Sequence, residues 1–354
     1  MRWLHAKHYS PIGVDLGGRY LKIAQLTSAP NRIFCHALAL MPNETPGAIA
    51  AAQIQQLCEL LTRRGFRGTQ VVIGIPTETL RVETLELPPT QGNLPLHQIA
   101  GIELARLTRL PPGSFTHGHW EIPAPARGGT ATHALGVALP HAAADQIIAP
   151  FREVGLEVVA LYPQMTSLAA GAARLVETNE GFLSVIDIGW GGTRLLVMQD
   201  GKLLFHRAIS AVSLSALHHE LGSTLQAPPE VVDHLLRNVG LDAQANTILN
   251  GDCSRLHRLL QRSVEVIAGE LRLTQNYLSH QYQRTDSGSL LLTGGGAAVP
   301  GLAEALGGAS GQRTMMLAPA LLDPGADAQT RLLAERPIFM GAVANALYAL
   351  EAQP

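Results

Sequence analysis

The sequence predicts an α/β fold made of two similar lobes. Three observations carry that expectation. The first is a repeated module: "GVDLGGRYLKIAQL" (Gly13–Leu26) and "VIDIGWGGTRLLVM" (Val185–Met198) each set an aspartate in an apolar run, follow it with glycines, and resume an apolar strand. Asp15 stands seven residues before Lys22, and Asp187 seven before Arg194. A module that recurs about half a chain away points to related half-molecules. The second is a strand–strand–helix–strand order over the first part of the chain, an α/β pattern. The third is "TGGGAAVPGL" (Thr293–Leu302), where a short buried strand leaves through three glycines into a helix start.

The elements follow in order. Pro11–Leu26 reads as a strand pair that Ile33–Leu40 continues. Ile49, Ile54, Leu57, Leu60 and Leu61 recur at helical spacing, and Gly65 stops that helix. "QVVIGIP" is a short apolar strand. From about Thr84 the texture changes: a proline-rich break, a helix over Leu96–Leu110, strands at "FTHGHWEIPA" and "THALGVALP", a helix over His141–Val154 and the strand "LEVVALY". The second half opens with the Asp187 hairpin and "GKLLFHRAIS". Helices near Ser213–Leu221, Pro229–Val239 and Arg255–Ser279 come next, then "SLLLTGGG" and a final apolar helix, "PIFMGAVANALYAL".

Composition narrows the function. The chain has 354 residues, 46% hydrophobic and 15% charged, and a formal net charge of −2. That balance offers no basic footprint for nucleic acid and no polybasic anchor for anionic lipid. No uninterrupted apolar run reaches the roughly 18 residues of a membrane span. Three scattered cysteines, Cys35, Cys58 and Cys253, form no CxxC spacing, which argues for a reducing compartment, and the expected location is cytoplasmic. Among fourteen histidines, His117/His119 and His218/His219 form close pairs. No HExxH or third ligand accompanies them, so they read as solvated or packed side chains.

A carboxylate inside an apolar strand is costly unless a cation or donor meets it. Glycine turns let backbone N–H groups converge on an anion. Two such turns can hold a polyphosphate from both sides, with Asp15 and Asp187 holding hydrated Mg²⁺. Lys22 can reach phosphate oxygens as a point charge, and Thr193 offers a hydroxyl. Gly294, Gly295 and Gly296 leave room for a base or ribose against backbone.

The order of Asp-hairpin, second Asp-hairpin and triple-glycine turn resembles the actin/Hsp70/sugar-kinase ATPase superfamily. More narrowly, it is similar to the PilM family of actin-like cytoplasmic proteins of type IV pilus assembly, itself related to FtsA. The matching stretches are "IGVDLGGRYLKIAQL", "VVIGIPTETLRVETLELP", "GLEVVALYPQMTSLA", "VIDIGWGGTRLLVMQDGKLLFHRAIS" and "LLLTGGGAAVPGLAEALG". The resemblance implies an actin-like ATPase fold, two similar lobes around a nucleotide cleft with an inserted FtsA/PilM-type subdomain. Residues 9–83 would form the first lobe, 84–160 the inserted subdomain, and 161–354 the second lobe with a final helix closing on the first.

It also implies ATP and Mg²⁺. Asp15, Gly17, Gly18, Arg19 and Lys22 cover the first phosphate motif, and Asp187, Gly189, Gly191, Gly192 and Thr193 the second. Gly294, Gly295 and Gly296 cover the adenosine motif. Glu270 and Arg272 fall where the family has helix residues near ribose and base. The chain departs from the family at Gly18 and Arg19, where small hydroxyl residues usually bind phosphate; Arg19 either pairs with phosphate or fills part of the pocket. The segment "LYPQMTSL" lacks acidic residues, and Gln164 could orient a water there. Binding is therefore expected, with hydrolysis weak or absent.

The implied partner is the short cytoplasmic N-terminal segment of a PilN-like inner-membrane protein. Its groove is expected along residues 84–158, with Phe115 and Trp120 as anchors or as core packing. Other pilus assembly ATPase or platform components and self-association belong to the same expectation. The alternatives are an FtsA-like or secretion-system scaffold, or a small-molecule kinase of the same superfamily.

Overall fold

Two sheets carry the same strand pattern. The computed structural model describes residues 8–30, 32–89, 94–126, 130–176, 181–242, 252–283, 288–323, 325 and 327–352. The chain opens with β1 (His8–Tyr9), β2 (Ile12–Leu16), β3 (Tyr20–Ala29), β4 (Arg32–Pro42), α1 (Ala51–Arg63) and β5 (Gln70–Ile75). Then come β6 (Arg81–Leu87), α2 (Leu96–Thr108), β7 (Phe115–Glu121), β8 (Thr132–Pro140), α3 (His141–Glu153), β9 (Glu157–Pro163) and α4 (Gln164–Leu175). The second half holds β10 (Leu183–Ile188), β11 (Thr193–Gln199), β12 (Lys202–Ile209), α5 (Leu214–Leu225), α6 (Pro229–Asn238) and α7 (Asp252–Tyr282). It ends with β13 (Leu290–Thr293), α8 (Leu302–Ser310), β14 (Thr314–Met316), α9 (Ala328–Ala334) and α10 (Met340–Glu351).

In the first sheet the hairpin β2–β3 is antiparallel, β4 lies antiparallel beyond β3, and β5 and β9 follow parallel on the β2 side. The second sheet repeats this: hairpin β10–β11, β12 beyond β11, then β13 and β14 parallel on the β10 side. The sequence repeat is thus the hairpin of each sheet. Parallel partners need long crossovers, which explains why β2 and β5 are separated by α1, and β10 and β13 by α5 to α7.

Strands β6, β8 and β7 form a third, antiparallel sheet covered by α2, with Leu85, Leu87, Ala100, Leu104 and Phe115 buried between them. Its membership differs from the expected block at 84–160. The sheet starts earlier, at Arg81, and β9 belongs to the first sheet, where it pairs in parallel with β5. Phe151 of α3 packs in the first sheet's core. The expected aromatic anchors are also packing residues: Phe115 is buried under α2, and Trp120 donates Nε1–H to the Leu203 carbonyl of β12 at 2.9 Å.

Helices α4 and α10 lie against the two central hairpins. Helix α10 is nearly all small and buried on that side, with Ala342, Ala344 and Ala346 fully buried. Small residues let it lie close: a β-carbon on Gly171 of α4 would come within 2.9 Å of the Ala344 β-carbon. Asn345 is the one polar exception in this stretch. It donates to the Val14 carbonyl at 2.9 Å and accepts from Ser167 Oγ at 2.6 Å. Among the described residues no helix is long and apolar enough to cross a membrane.

Candidate functional site

A cavity of about 590 Å³ opens between the two sheets, at the ends of β2 and β10. Strand order explains its position. Each hairpin turn stands at the end of a central strand, with the exit of a parallel neighbour beside it, and loops at such ends form the wall of a crevice.

Asp15 is the penultimate residue of β2 and is buried. Its cross-strand partner is Lys22, whose Nζ lies 3.0 Å from Asp15 Oδ2. Gly341, near the start of α10, makes room for the pair: a β-carbon there would fall 2.6 Å from Asp15 Oδ2 and 3.2 Å from Gln164 Nε2. Gln164 itself lines the cavity from the first turn of α4. Gly17, Gly18 and Arg19 make the turn, which Asn43 holds by donating from Nδ2 to the Gly17 carbonyl at 2.7 Å.

The second hairpin repeats the arrangement with a different cation. Asp187 pairs in register with Arg194, with Arg194 Nη1 donating to Asp187 Oδ2 at 3.4 Å. Arg194 also grips Glu78 at 2.8 and 3.0 Å. Burial pushes the Asp187 carboxyl above the ordinary aspartate range and Asp15 pushes the same way, while Arg194 and Lys22 pull it back. Burial works against the Arg194 charge, but Asp187 and Glu78 outweigh it and hold its pKa above the usual arginine value. Gly294, at φ +82°, curls under Asp187, and a β-carbon there would press on Asp187 Oδ1 and sit 2.6 Å from the Ile188 carbonyl oxygen.

Most of the expected residues meet here. Asp15, Gly17, Gly18, Arg19, Lys22, Gln164, Asp187, Gly189, Gly191, Gly294 and Gly295 all line the one cavity. Five others do not. Thr193 is buried and stands opposite Ile188. Side chains alternate along a strand, so Arg194 takes the cavity face and the Thr193 hydroxyl the other. Gly192 closes the turn by accepting from the Gly189 N–H at 2.9 Å. Gly296 lets the turn pack on Ile188. On α7, Glu270 pairs with Arg207 of β12 at 2.9 Å, and Arg272 donates to the Ala309 carbonyl at 2.9 Å. Both α7 residues are therefore engaged away from the cavity walls.

Arg19, expected either to pair with phosphate or to fill the pocket, is committed elsewhere. Its Nη1 and Nη2 donate to Asp233 Oδ1 and Oδ2 of α6 at 2.8 and 2.7 Å, and its guanidinium lies 4.5 Å from the Trp190 ring centroid. His218 Nε2 stands 3.2 Å from Asp233 Oδ1. His117 and His119 share one face of β7, where the His97 ring stacks on His117 at 4.3 Å. Among the described residues no cluster of three or more His, Cys, Asp or Glu is arranged to hold a metal ion.

Sequence reading missed Glu78, Trp190, Asp233, Arg237 and Arg336, which also line the cavity. Trp190 was findable, as a large ring inside a glycine turn. Asp233 carries no local signal, because only the packing of α6 against the second sheet brings it to the first hairpin.

No family model matches the sequence, and no curated protein does. Among solved structures, the chain is similar to a chain of the PilM–PilN type IV pilus biogenesis complex, with 20% identity, a TM-score of 0.75, and coverage of 98% of this chain and 99% of that one. It is also similar to the ethanolamine utilization protein EutJ from Carboxydothermus hydrogenoformans, with 16% identity, a TM-score of 0.51, and coverage of 96% and 90%. With the doubled sheet pattern and the cleft between its hairpins, the chain has an actin-like ATPase fold of the kind found in PilM.

Proposed function

We propose that the chain is an ATP-binding, actin-like cytoplasmic scaffold of a type IV pilus or related inner-membrane assembly complex. In this reading it takes Mg²⁺-ATP in the cleft and binds the N-terminal cytoplasmic segment of a PilN-like membrane protein. The observation that carries the nucleotide is the convergence of two Asp–cation hairpins and the Gly294 turn on one cavity. The partner rests on the full-length similarity in fold to a chain solved in a PilM–PilN complex. Attachment to the inner membrane would then run through that partner.

The residues fit the ligand. Gly17, Gly18 and Gly191 carry no side chain to block the approach of phosphate oxygens to the backbone, and Lys22 adds charge. A buried Asp187 whose carboxyl is pushed upward gains from a nearby divalent cation, which Mg²⁺ would supply through water with Asp15 opposite. Gly294 and Gly295 give the nucleoside a surface free of side chains. Gln164 can orient a water, but Asp15, Glu78, Asp187 and Asp233, the carboxylates that line the cavity, each already have a cation partner. That suits a bound conformational ligand better than rapid turnover.

Calorimetry with Mg²⁺-ATP on the native chain and on Asp187→Ala tests the cleft. Binding by the first and its loss in the second is expected, with little ADP formed over hours. No binding by the native chain would overturn the nucleotide reading. Capture of the chain by an immobilised PilN-type N-terminal peptide tests the scaffold role separately.

A further inference from the structure

The cleft is bridged by two side chains that both line it and keep partial exposure to solvent. Arg19 belongs to the first sheet's hairpin turn and Asp233 to α6, whose Val232 is fully buried in the second sheet's core. The two are 214 residues apart and meet through two parallel hydrogen bonds. Both ends are anchored. The Arg19 carbonyl accepts from the Asn43 N–H at 2.9 Å, so its root moves only with the first sheet. Asp233 also has His218 at 3.2 Å and Arg237 at 3.6 Å.

The chemistry of Arg19 bears on its role. A guanidinium offers five N–H donors in a rigid fork, and here the end of the fork is closed on a carboxylate. One face is covered by Trp190 at 4.5 Å, and the Tyr20 centroid lies 5.4 Å from its central carbon. A charge neutralised and covered in this way is a poor phosphate ligand. It is well placed to resist separation of the two sheets on the solvent side of the cavity, because the pair is 28% and 20% exposed whereas Asp15 and Gln164, on the α10 and α4 side, are buried.

We propose that Arg19 and Asp233 form a strap that gates exchange of a phosphate-bearing ligand: the pair must break for a nucleoside polyphosphate to enter or leave, and it re-forms over the ligand. This rests on the nucleotide reading above. A gate, unlike a ligand contact, changes both rates together and leaves the equilibrium nearly fixed.

The test is stopped-flow exchange of N-methylanthraniloyl-ATP with Mg²⁺ on the full chain, its Arg19→Gln and Asp233→Asn variants, and Asp233→Glu, which keeps the pairing. Association and dissociation are expected to rise together by about tenfold in the first two, with Kd shifting less than about threefold; one charge-assisted pair is worth about that factor. Asp233→Glu should stay close to the native rates. Unchanged rates would overturn the strap. Weakened binding with unchanged association would instead make Arg19 a direct phosphate contact, which also overturns it.

Hydrogen exchange without nucleotide keeps the strap separable from the nucleotide reading. Amides of residues 16–20 and 229–238 should exchange faster in both pairing-deficient variants, with unchanged far-ultraviolet circular dichroism. If no chain binds the analogue, the nucleotide reading falls. The bridge is then judged on exchange alone, and equal protection in all four chains would sink it.

Discussion

Asp187 and Arg194 are direct cross-strand partners in the β10–β11 hairpin, and Asp15 and Lys22 are direct partners in β2–β3. The seven-residue spacing seen in both halves of the sequence is therefore a register. A hairpin turn sets each aspartate opposite a cation, and both pairs face one cavity. The two pairs are not equivalent. Among the described residues Lys22 forms an ion pair with Asp15 and acts on Asp187 only at longer range, whereas Arg194 bridges Asp187 and Glu78.

Arg194→Ala tests that bridge. It leaves a buried carboxylate facing Asp15 with only Lys22 near, and uncompensated buried charge is costly. The Asp187 and Arg194 side chains retain 13% and 19% exposure, so the expected loss is reduced to about 1–3 kcal/mol. Urea unfolding near neutral pH measures it. Arg194→Lys should recover part of the loss, since lysine can reach one carboxylate but not fork between two. Equal stability of the alanine variant and the native chain would mean that the bridge contributes nothing.

Much of this architecture was legible because its signals are local. The hairpins, α1, α2, α3, α5 and α6 follow from periodicity and punctuation, and the duplicated module gave the two sheets. Three kinds of feature were not legible. Helix α4 begins right after Pro163 and is rich in alanine, with no strong polar face to mark it. Thr193 and Arg194 sit side by side, and the sequence does not say which one the strand turns to the cavity. The partners of Arg19 and Asn345 lie hundreds of residues away, so packing alone brings them together. Glu270 and Arg272, expected near the nucleoside, are held by Arg207 and the end of α8 instead.

Gly294 is the glycine whose replacement should cost most at the site. Its φ of +82° strains any L-residue, and the added carbon would press on Asp187 Oδ1 and the Ile188 carbonyl. Gly294→Ala is expected to lose about 2 kcal/mol of stability and to weaken Mg²⁺-ATP binding in calorimetry. Gly191→Ala is the control for stability alone, because its β-carbon would meet nothing within 4 Å. If both variants unfold at the same urea concentration, the close packing under Asp187 has no energetic weight.

Asn345 ties α10 to both α4 and β2. Asn345→Leu keeps the volume but leaves the Val14 carbonyl without its side-chain donor. Ser167 Oγ then has only the Gln164 carbonyl, at 3.2 Å. Leaving a buried polar group unsatisfied costs about 1–3 kcal/mol. The double variant with Ser167→Ala should be less destabilised than the sum of the two single changes, because the residues share one bond. Chemical unfolding of the four chains gives the coupling; strict additivity would show that the Ser167–Asn345 bond does not contribute.

The Arg19–Asp233 pair also predicts a pH dependence. The hydrogen bonds from Arg19 hold the Asp233 carboxyl below the ordinary aspartate range, against a smaller effect of burial. Below about pH 3.9, the usual aspartate value, the unfolded chain therefore binds more protons at this site than the folded one. Stability from the pair is present in full above that pH and is lost as the pH falls through the depressed folded pKa. With its side chains 28% and 20% exposed, the pair is expected to contribute about 1 kcal/mol. Arg19→Gln should be less stable than the native chain by about that amount at pH 6. The two denaturation curves should converge as the pH falls below the usual aspartate value, as protonation removes from the native chain what the variant already lacks. A gap that stays constant across the acid range would show that Arg19 stabilises the fold by packing on Trp190 and not through the Asp233 charge.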